Sequence, residues 1–344
     1  MTATGKEFLS GVIEGFYGRP WSFELRHAYA DFLAASGLNT YIYCPKSDPW
    51  LRKRWSEDWP DSQFRALRQL GQYYRERGLF WGVGLSPFEL YRHYGPRDRE
   101  QLRRKTSRIS QLEAPLLAIL FDDMPGDLDA LAARQAEIVA DVRSWHPEMR
   151  LLVCPTYYSF DPVLEKYFGA MPDGYWQQLG RELPADVDIF WTGNAVCSET
   201  ISVVDIQRIR EQVGRQLLLW DNYPVNDGAE RSQHLYLDPL EGREDGLSEE
   251  LSGHLCNPMN QGWLSLPALA GLARLYGCPG ESIDWIRQRL GSDTWKCLME
   301  DREEFLAQGL AETDEQRRKE LILRYQQLPG AAAAELVALS LIHI

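Results

Sequence analysis

Leu116-Leu117-Ala118-Ile119-Leu120-Phe121-Asp122-Asp123 is the stretch on which the fold turns. Its first six residues are apolar at every position, with no alternation, as expected of a parallel strand buried on both faces. Seven further short, mainly apolar runs occur, at 8–13, 40–44, 79–85, 151–154, 187–191, 217–220 and 251–256. Between them lie helix-period segments at 22–36, 61–78 (with Gly78 placed to end it), 98–112, 127–145 and 203–213. Eight buried strands alternating with helices predict an α/β chain closed into a (β/α)₈ TIM-type barrel. The competing open, doubly wound sheet is disfavoured because no Gly-x-Gly-x-x-Gly follows the first run.

The strand–helix rhythm stops at Gly277. Residues 1–277 are therefore expected to form the barrel, and 278–344 a helical appendage with segments at 282–290, 293–306 and 312–328. The Ala-rich tail from 331 reads as a truncated or frayed end, and a long acidic loop occupies 226–250. With 44% hydrophobic and 25% charged residues over 344 positions, the composition supports a packed core rather than disorder.

The formal charge of −13, without a basic, aromatic-interleaved block, argues against nucleic acid as a partner. The start has no basic-then-apolar leader, and the 14-residue apolar tail is too short to span a bilayer of ~30 Å, so no membrane role is expected. The six cysteines form no Cys-x-x-Cys pair and read as reduced thiols of a cytoplasmic protein. Nothing in the sequence sets the oligomeric state.

Barrel enzymes carry their chemistry at the C-terminal ends of the strands. The residues following the eight runs are Glu14-Gly15-Phe16-Tyr17-Gly18, Pro45-Lys46-Ser47-Asp48, Ser86-Pro87, Asp122-Asp123, Pro155-Thr156-Tyr157-Tyr158, Thr192-Gly193-Asn194, Asp221-Asn222 and Asn257-Pro258-Met259. Polar, aromatic and glycine residues dominate this rim, the composition of a pocket for a polyhydroxylated ligand. Aromatic side chains, of which the chain has 12 Trp and 16 Tyr, offer flat faces to such rings.

Asp122 and Asp123 stand out because two ionised carboxylates beside a buried strand are costly without a purpose. Crowded like charges are expected to push one pKa upward, preparing one carboxyl as an acid beside an ionised neighbour. A helix cap or a metal-ligand pair is the plainer alternative. Lys46 reads equally as a surface residue or as a donor to substrate. Trp220 and Asn222, two apart on a strand, face the same side; Trp220 alone could be core, and Asn257 alone an Asx-turn before proline. The six histidines lack metal-ligand spacing, and there is no Gly-x-Ser-x-Gly elbow or phosphate-binding loop. A hydrolase that works with carboxylates, without metal or cofactor, is what remains.

These rim residues carry a resemblance. Gly11-Val12-Ile13-Glu14-Gly15-Phe16-Tyr17-Gly18-Arg19-Pro20-Trp21 resembles the opening strand of glycoside hydrolase family 84, the O-GlcNAcase and bacterial hexosaminidase family. The likeness continues in order through Tyr43–Pro49, Asp122-Asp123, Cys154–Tyr158, Trp191–Gly193, Trp220–Asp227 and Asn257-Pro258. It implies a retaining exo-β-N-acetylglucosaminidase in which the sugar's own acetamido oxygen attacks the anomeric carbon, an exception to the two-carboxylate scheme. On that resemblance Asp122 would polarise the acetamido N–H, and Asp123 would act as general acid and then base. Gly15, Lys46, Asn222, Asp227 and Asn257 would meet sugar hydroxyls, Tyr158 the acetamido region and Trp220 the N-acetyl wall, with Asp221 counted among the substrate-binding residues. Tyr157 stands where better-known members carry an acid, so the two tyrosines remain alternatives. Weighed against this are a different barrel hexosaminidase, which would need an Asp-Glu or Asp-x-Glu acid, and a non-catalytic sugar-binding module.

Overall fold

The computed structural model describes residues 6–278, 280–307, 309 and 313–342. Eight parallel strands close in sequence order: β1 (Leu9–Glu14), β2 (Thr40–Tyr43), β3 (Phe80–Leu85), β4 (Leu116–Leu120), β5 (Arg150–Cys154), β6 (Asp188–Trp191), β7 (Leu217–Asp221) and β8 (Leu251–Cys256). β8 pairs with β1, with Gly253 opposite Leu9, which completes the barrel. Every residue of β4 is buried, as its unbroken apolar sequence requires.

All eight expected runs are strands, with ends shifted by no more than one or two residues. The expected helices form as Phe23–Ser36, Asp61–Arg75, Pro96–Ser110, Leu131–Trp145 and Val203–Val213. Local chemistry sets their ends. Ser22 caps the first by accepting from the Leu25 amide, and Gly37 closes it at φ +70°, a left-handed conformation that favours glycine. The fourth starts later than its apolar period suggests, because residues 125–128 are irregular and 129–130 form a turn. Helices Val163–Phe168 and Tyr175–Glu182 after β5, and Gly262–Leu275 after β8, were not read from the sequence.

Beyond the barrel lie helices Ser282–Leu290, Ser292–Ala307, Glu315–Gln326 and Ala331–Ile342. They are no detached appendage: Leu298, Phe305, Leu321, Tyr325 and Leu336 join the same apolar cluster as the barrel. Glu335 accepts from the Leu264 amide at 3.2 Å, near the start of the helix that follows β8. Among the described residues no helix is long and apolar enough to cross a membrane.

Candidate active site

The C-terminal ends of the strands converge on one pocket, with a cavity volume of about 120 Å³. Gly15, Lys46, Asp122, Asp123, Tyr158, Trp220, Asn222, Asp227 and Asn257 all line it. Nine of the ten residues singled out in the sequence thus meet in space.

Lys46, on the loop after β2, forms a buried ion pair with Asp122 Oδ2 and lies 3.6 Å from Asp123 Oδ2. Burial works against the Lys46 charge, but Asp122 and Asp123 outweigh it and hold the ammonium protonated well above its ordinary range. Asp122 Oδ1 is buried and has no hydrogen-bond partner among the described residues. Asp123 leaves the strand with φ +56°, a left-handed backbone rare for a residue with a Cβ and costing on the order of 1–3 kcal/mol. Its Oδ2 accepts from the Tyr17 hydroxyl at 2.8 Å and its Oδ1 from the Tyr158 hydroxyl at 3.3 Å.

The sequence expectation that crowding would raise one of these two acids needs correcting at Asp123. Burial does push its pKa upward. The Lys46 charge, the Tyr17 hydrogen bond, the Arg52 charge and the Tyr158 hydrogen bond together outweigh burial, leaving Asp123 below the usual carboxylate value.

The opposite wall is built from amides and an indole. Asn257 Oδ1 accepts from the Gly15 backbone amide at 3.1 Å, and its Nδ2 donates to Asn222 Oδ1 at 3.0 Å. Trp220 Nε1 donates to the same Asn222 oxygen at 3.1 Å, while Asn222 Nδ2 donates to the Val196 carbonyl at 2.7 Å. A Cβ on Gly15 would lie 2.3 Å from Trp220 Cζ2, so the indole occupies the space a side chain would need. Asp227 Oδ2 accepts from the Tyr17 amide at 2.7 Å, and burial raises its carboxyl above the ordinary value.

Between the two tyrosines the geometry decides for Tyr158. The Tyr157 hydroxyl turns away and donates to the Gly169 carbonyl at 2.7 Å. Asp221, counted among substrate-binding residues from the sequence, is the second correction: it lies behind the pocket. Arg243 clamps both its oxygens at 2.6 and 2.7 Å, and His254 Nε2 lies 2.9 Å from Oδ2. Asp221, His254 and Cys256 are close enough together to suggest metal ligands. With the carboxylate already neutralised by a guanidinium, however, the cluster is chemically a buried ion pair. Asp48 likewise serves the scaffold, accepting from Tyr43, Trp59 and Gln63 and so bracing the loop that carries Lys46.

Tyr17, Thr192, Val196 and Cys197 line the pocket without having been singled out. Tyr17 could have been found, since it stands two residues beyond Gly15 on the same strand end. Val196 and Cys197 come from an irregular loop whose path has no local sequence signal.

Two acids at the mouth of a barrel, one ion-paired and one held by two tyrosine hydroxyls, stand beside an aromatic and amide wall, an arrangement with the shape and polarity to receive a small polar ring. Comparison with known proteins sharpens this. A family model described as beta-N-acetylglucosaminidase matches residues 10–287, and the chain belongs to that family. Protein O-GlcNAcase of Rattus norvegicus and that of Mus musculus are each 31% identical to it over 281 residues, covering 79% of this chain and 30% of the relative. The chain thus spans under a third of the length of these relatives. A solved O-GlcNAc hydrolase of Thermobaculum terrenum, a mutant form, superimposes with a TM-score of 0.74 at 27% identity, over 97% of this chain and 82% of that one. That coverage takes in most of the helical region after the barrel as well.

Proposed function

We propose that this chain is a retaining exo-β-N-acetylglucosaminidase that removes terminal β-linked N-acetylglucosamine, including sugar O-linked to protein Ser or Thr, by substrate-assisted catalysis. The observation that carries the reading is Asp122. One of its oxygens is paired with Lys46, and the other is buried and without a hydrogen-bond partner among the described residues. A buried acceptor left unmatched costs about 1–3 kcal/mol, and an acetamido N–H would satisfy it.

In this reading Asp122 accepts from the acetamido N–H and directs the acetamido oxygen at the anomeric carbon. As that C–O bond forms, the bond to the aglycone breaks, and Asp123 gives its proton to the departing oxygen. The ring closed by the acetamido group is an oxazoline, its N–H proton passing to Asp122 and returning to the nitrogen when the ring reopens. Asp123, now a carboxylate, takes a proton from water, which opens the oxazoline and restores the β-configured sugar. Attack from within the substrate carries a high effective concentration, so no protein nucleophile is required.

Asp123 must be protonated to act first as an acid, yet Lys46, Tyr17 and Arg52 hold it low in the free site. Substrate binding would displace water around it and raise it, the direction that burial already favours. Tyr17 and Tyr158 fix the carboxyl's orientation, while Asn222, Asp227, Asn257 and the Gly15 carbonyl would meet sugar hydroxyls. Trp220 forms the apolar wall for the acetamido methyl. The substrate is a β-N-acetylglucosaminide, and the reading calls for neither cofactor nor metal.

The direct test is hydrolysis of an aryl β-N-acetylglucosaminide beside the matching β-glucoside. Turnover of the first with little of the second supports the reading. Saturable binding of N-acetylglucosamine without turnover of either substrate would reduce the protein to a sugar-binding module.

A further inference from the structure

Three buried arginine side chains stand near the barrel mouth, and two of them have carboxylate partners: Arg26 with Glu14, and Arg243 with Asp221. Arg52 has no carboxylate within ion-pair distance among the described residues. Its donors go instead to the Ser86 hydroxyl at 2.9 Å and to the backbone carbonyl of Asp123 at 3.0 Å. Its guanidinium carbon also lies 5.3 Å from the Phe88 ring centre and 6.0 Å from that of Tyr17.

The residue it grips is the one held in a left-handed backbone at φ +56°. A neutral hydrogen-bonding residue would satisfy that carbonyl at lower desolvation cost, so the buried positive charge requires its own reason. Arg52 is not among the residues that line the pocket; it stands behind Asp123.

We propose that Arg52 is a positioning residue for the general acid: it locks the strained Asp123 backbone from behind, and it supplies the second positive charge that balances the Asp122–Asp123 pair. The inference rests on the reading of Asp123 as the acid. With Lys46 in front and Arg52 behind, two cations offset two carboxylates. The groups facing Asp123 are then Lys46 from the loop after β2, Arg52 from the turn beyond it, Tyr17 from the loop after β1, Tyr158 from the loop after β5, its neighbour Asp122, and Asp227 across the pocket.

The sign follows from the charge. Taking Arg52 away removes a cation that favours the Asp123 carboxylate, so the acid should hold its proton to higher pH, by about one unit for a charge lost nearby.

The test is kcat/KM against pH for wild type, Arg52→Met, Arg52→Lys and Asp123→Asn, each on aryl β-N-acetylglucosaminides with a good and a poor leaving group. Arg52→Met should move the alkaline limb upward by about one pH unit. It should also lose at least tenfold more activity on the poor leaving group than on the good one. Arg52→Lys keeps the charge but not the two-pronged grip: its limb should stay near the wild-type position, while the leaving-group-dependent loss persists in smaller measure. An unmoved limb in Arg52→Met, with equal losses on both substrates, would overturn the proposal. Should Arg52→Met fail to fold, Arg52→Lys decides, and equal losses on the two substrates would overturn it. Asp123→Asn separates this from the underlying assignment: if it retains the alkaline limb, Asp123 is not the acid, whatever Arg52 does.

Discussion

Arg243→Met should destabilise the protein far more than a change at an ordinary surface arginine. Arg243 leaves the loop before β8 and bonds both Asp221 oxygens, and it also donates to the carbonyls of Ser198, Glu199 and Glu241 at 2.7–3.0 Å. It therefore ties the loop bearing Val196 and Cys197 to the end of β7. Burial pushes the Asp221 pKa up, but Arg243 and His254 outweigh it and hold the carboxyl at about 2, against an ordinary 3.8. A depressed carboxylate contributes stability that is present above its unfolded value and lost as pH falls toward the folded one; here that contribution is on the order of 2 kcal/mol.

Removing only the guanidinium leaves a buried, uncompensated charge, a loss of about 3–5 kcal/mol. At ~2.1 cal/mol/K per residue, this lowers Tm by about 4–7 °C for a chain of this length. Scanning calorimetry near pH 7 should show that drop. Arg243→Met/Asp221→Leu should recover much of it, since both charges are then gone. The gap between single variant and wild type should narrow as pH falls toward about 4, where protonation relieves the stranded carboxyl. A Tm change below about 1 °C, or a gap indifferent to pH, would refute the reasoning.

Other outcomes follow from the same geometry. Asp123→Asn should lose on the order of 10²–10⁴-fold on substrates with poor leaving groups yet keep much of its rate on a good aryl leaving group. Asp122→Asn should be slow on both, and equal losses for the two variants across a leaving-group series would show the roles misassigned. Gly15→Ala forces a methyl against Trp220, so KM for an aryl β-N-acetylglucosaminide should rise at least tenfold, whereas a wild-type KM would mean the indole moves aside freely. Burial raises Glu335 to about 8 from an ordinary 4.5. A raised carboxyl gives stability that is full below its unfolded value and lost as pH climbs through the folded one, so wild type should weaken between about pH 5 and 8. Glu335→Gln, followed by urea unfolding across that range, should flatten the trend, and identical pH profiles would exclude it.

Most of the barrel was legible because parallel strands buried on both faces cannot alternate in polarity, so 116–121 and its seven counterparts declare themselves. The pocket was legible for a topological reason, since barrel strand ends meet at one face. Asp221 shows what simple adjacency misses: Trp220 and Asn222 face the pocket, so the residue between them must face away, where Arg243 and His254 receive it. Arg52 and Arg243 were invisible because their partners lie 71 and 22 residues away in the chain. The lowered pKa of Asp123 was missed for the same cause. Crowding by Asp122 can be read from sequence, but the cations that overrule it arrive only with the fold. The helices after Gly277 gave their presence but not their docking, which depends on contacts such as Glu335 with the Leu264 amide.

The most direct test of the central claim, that the substrate's acetamido oxygen is the nucleophile, is kcat/KM for aryl glycosides bearing acetyl, fluoroacetyl, difluoroacetyl and trifluoroacetyl groups on the 2-amino nitrogen. Each fluorine drains electron density from the attacking oxygen while changing the pocket's occupant little in size. The account expects a steep, monotonic fall across the series, together with strong inhibition by a thiazoline that mimics the oxazoline. A rate that stays flat across the series, with no thiazoline inhibition, would contradict it and point to a protein carboxylate as the nucleophile.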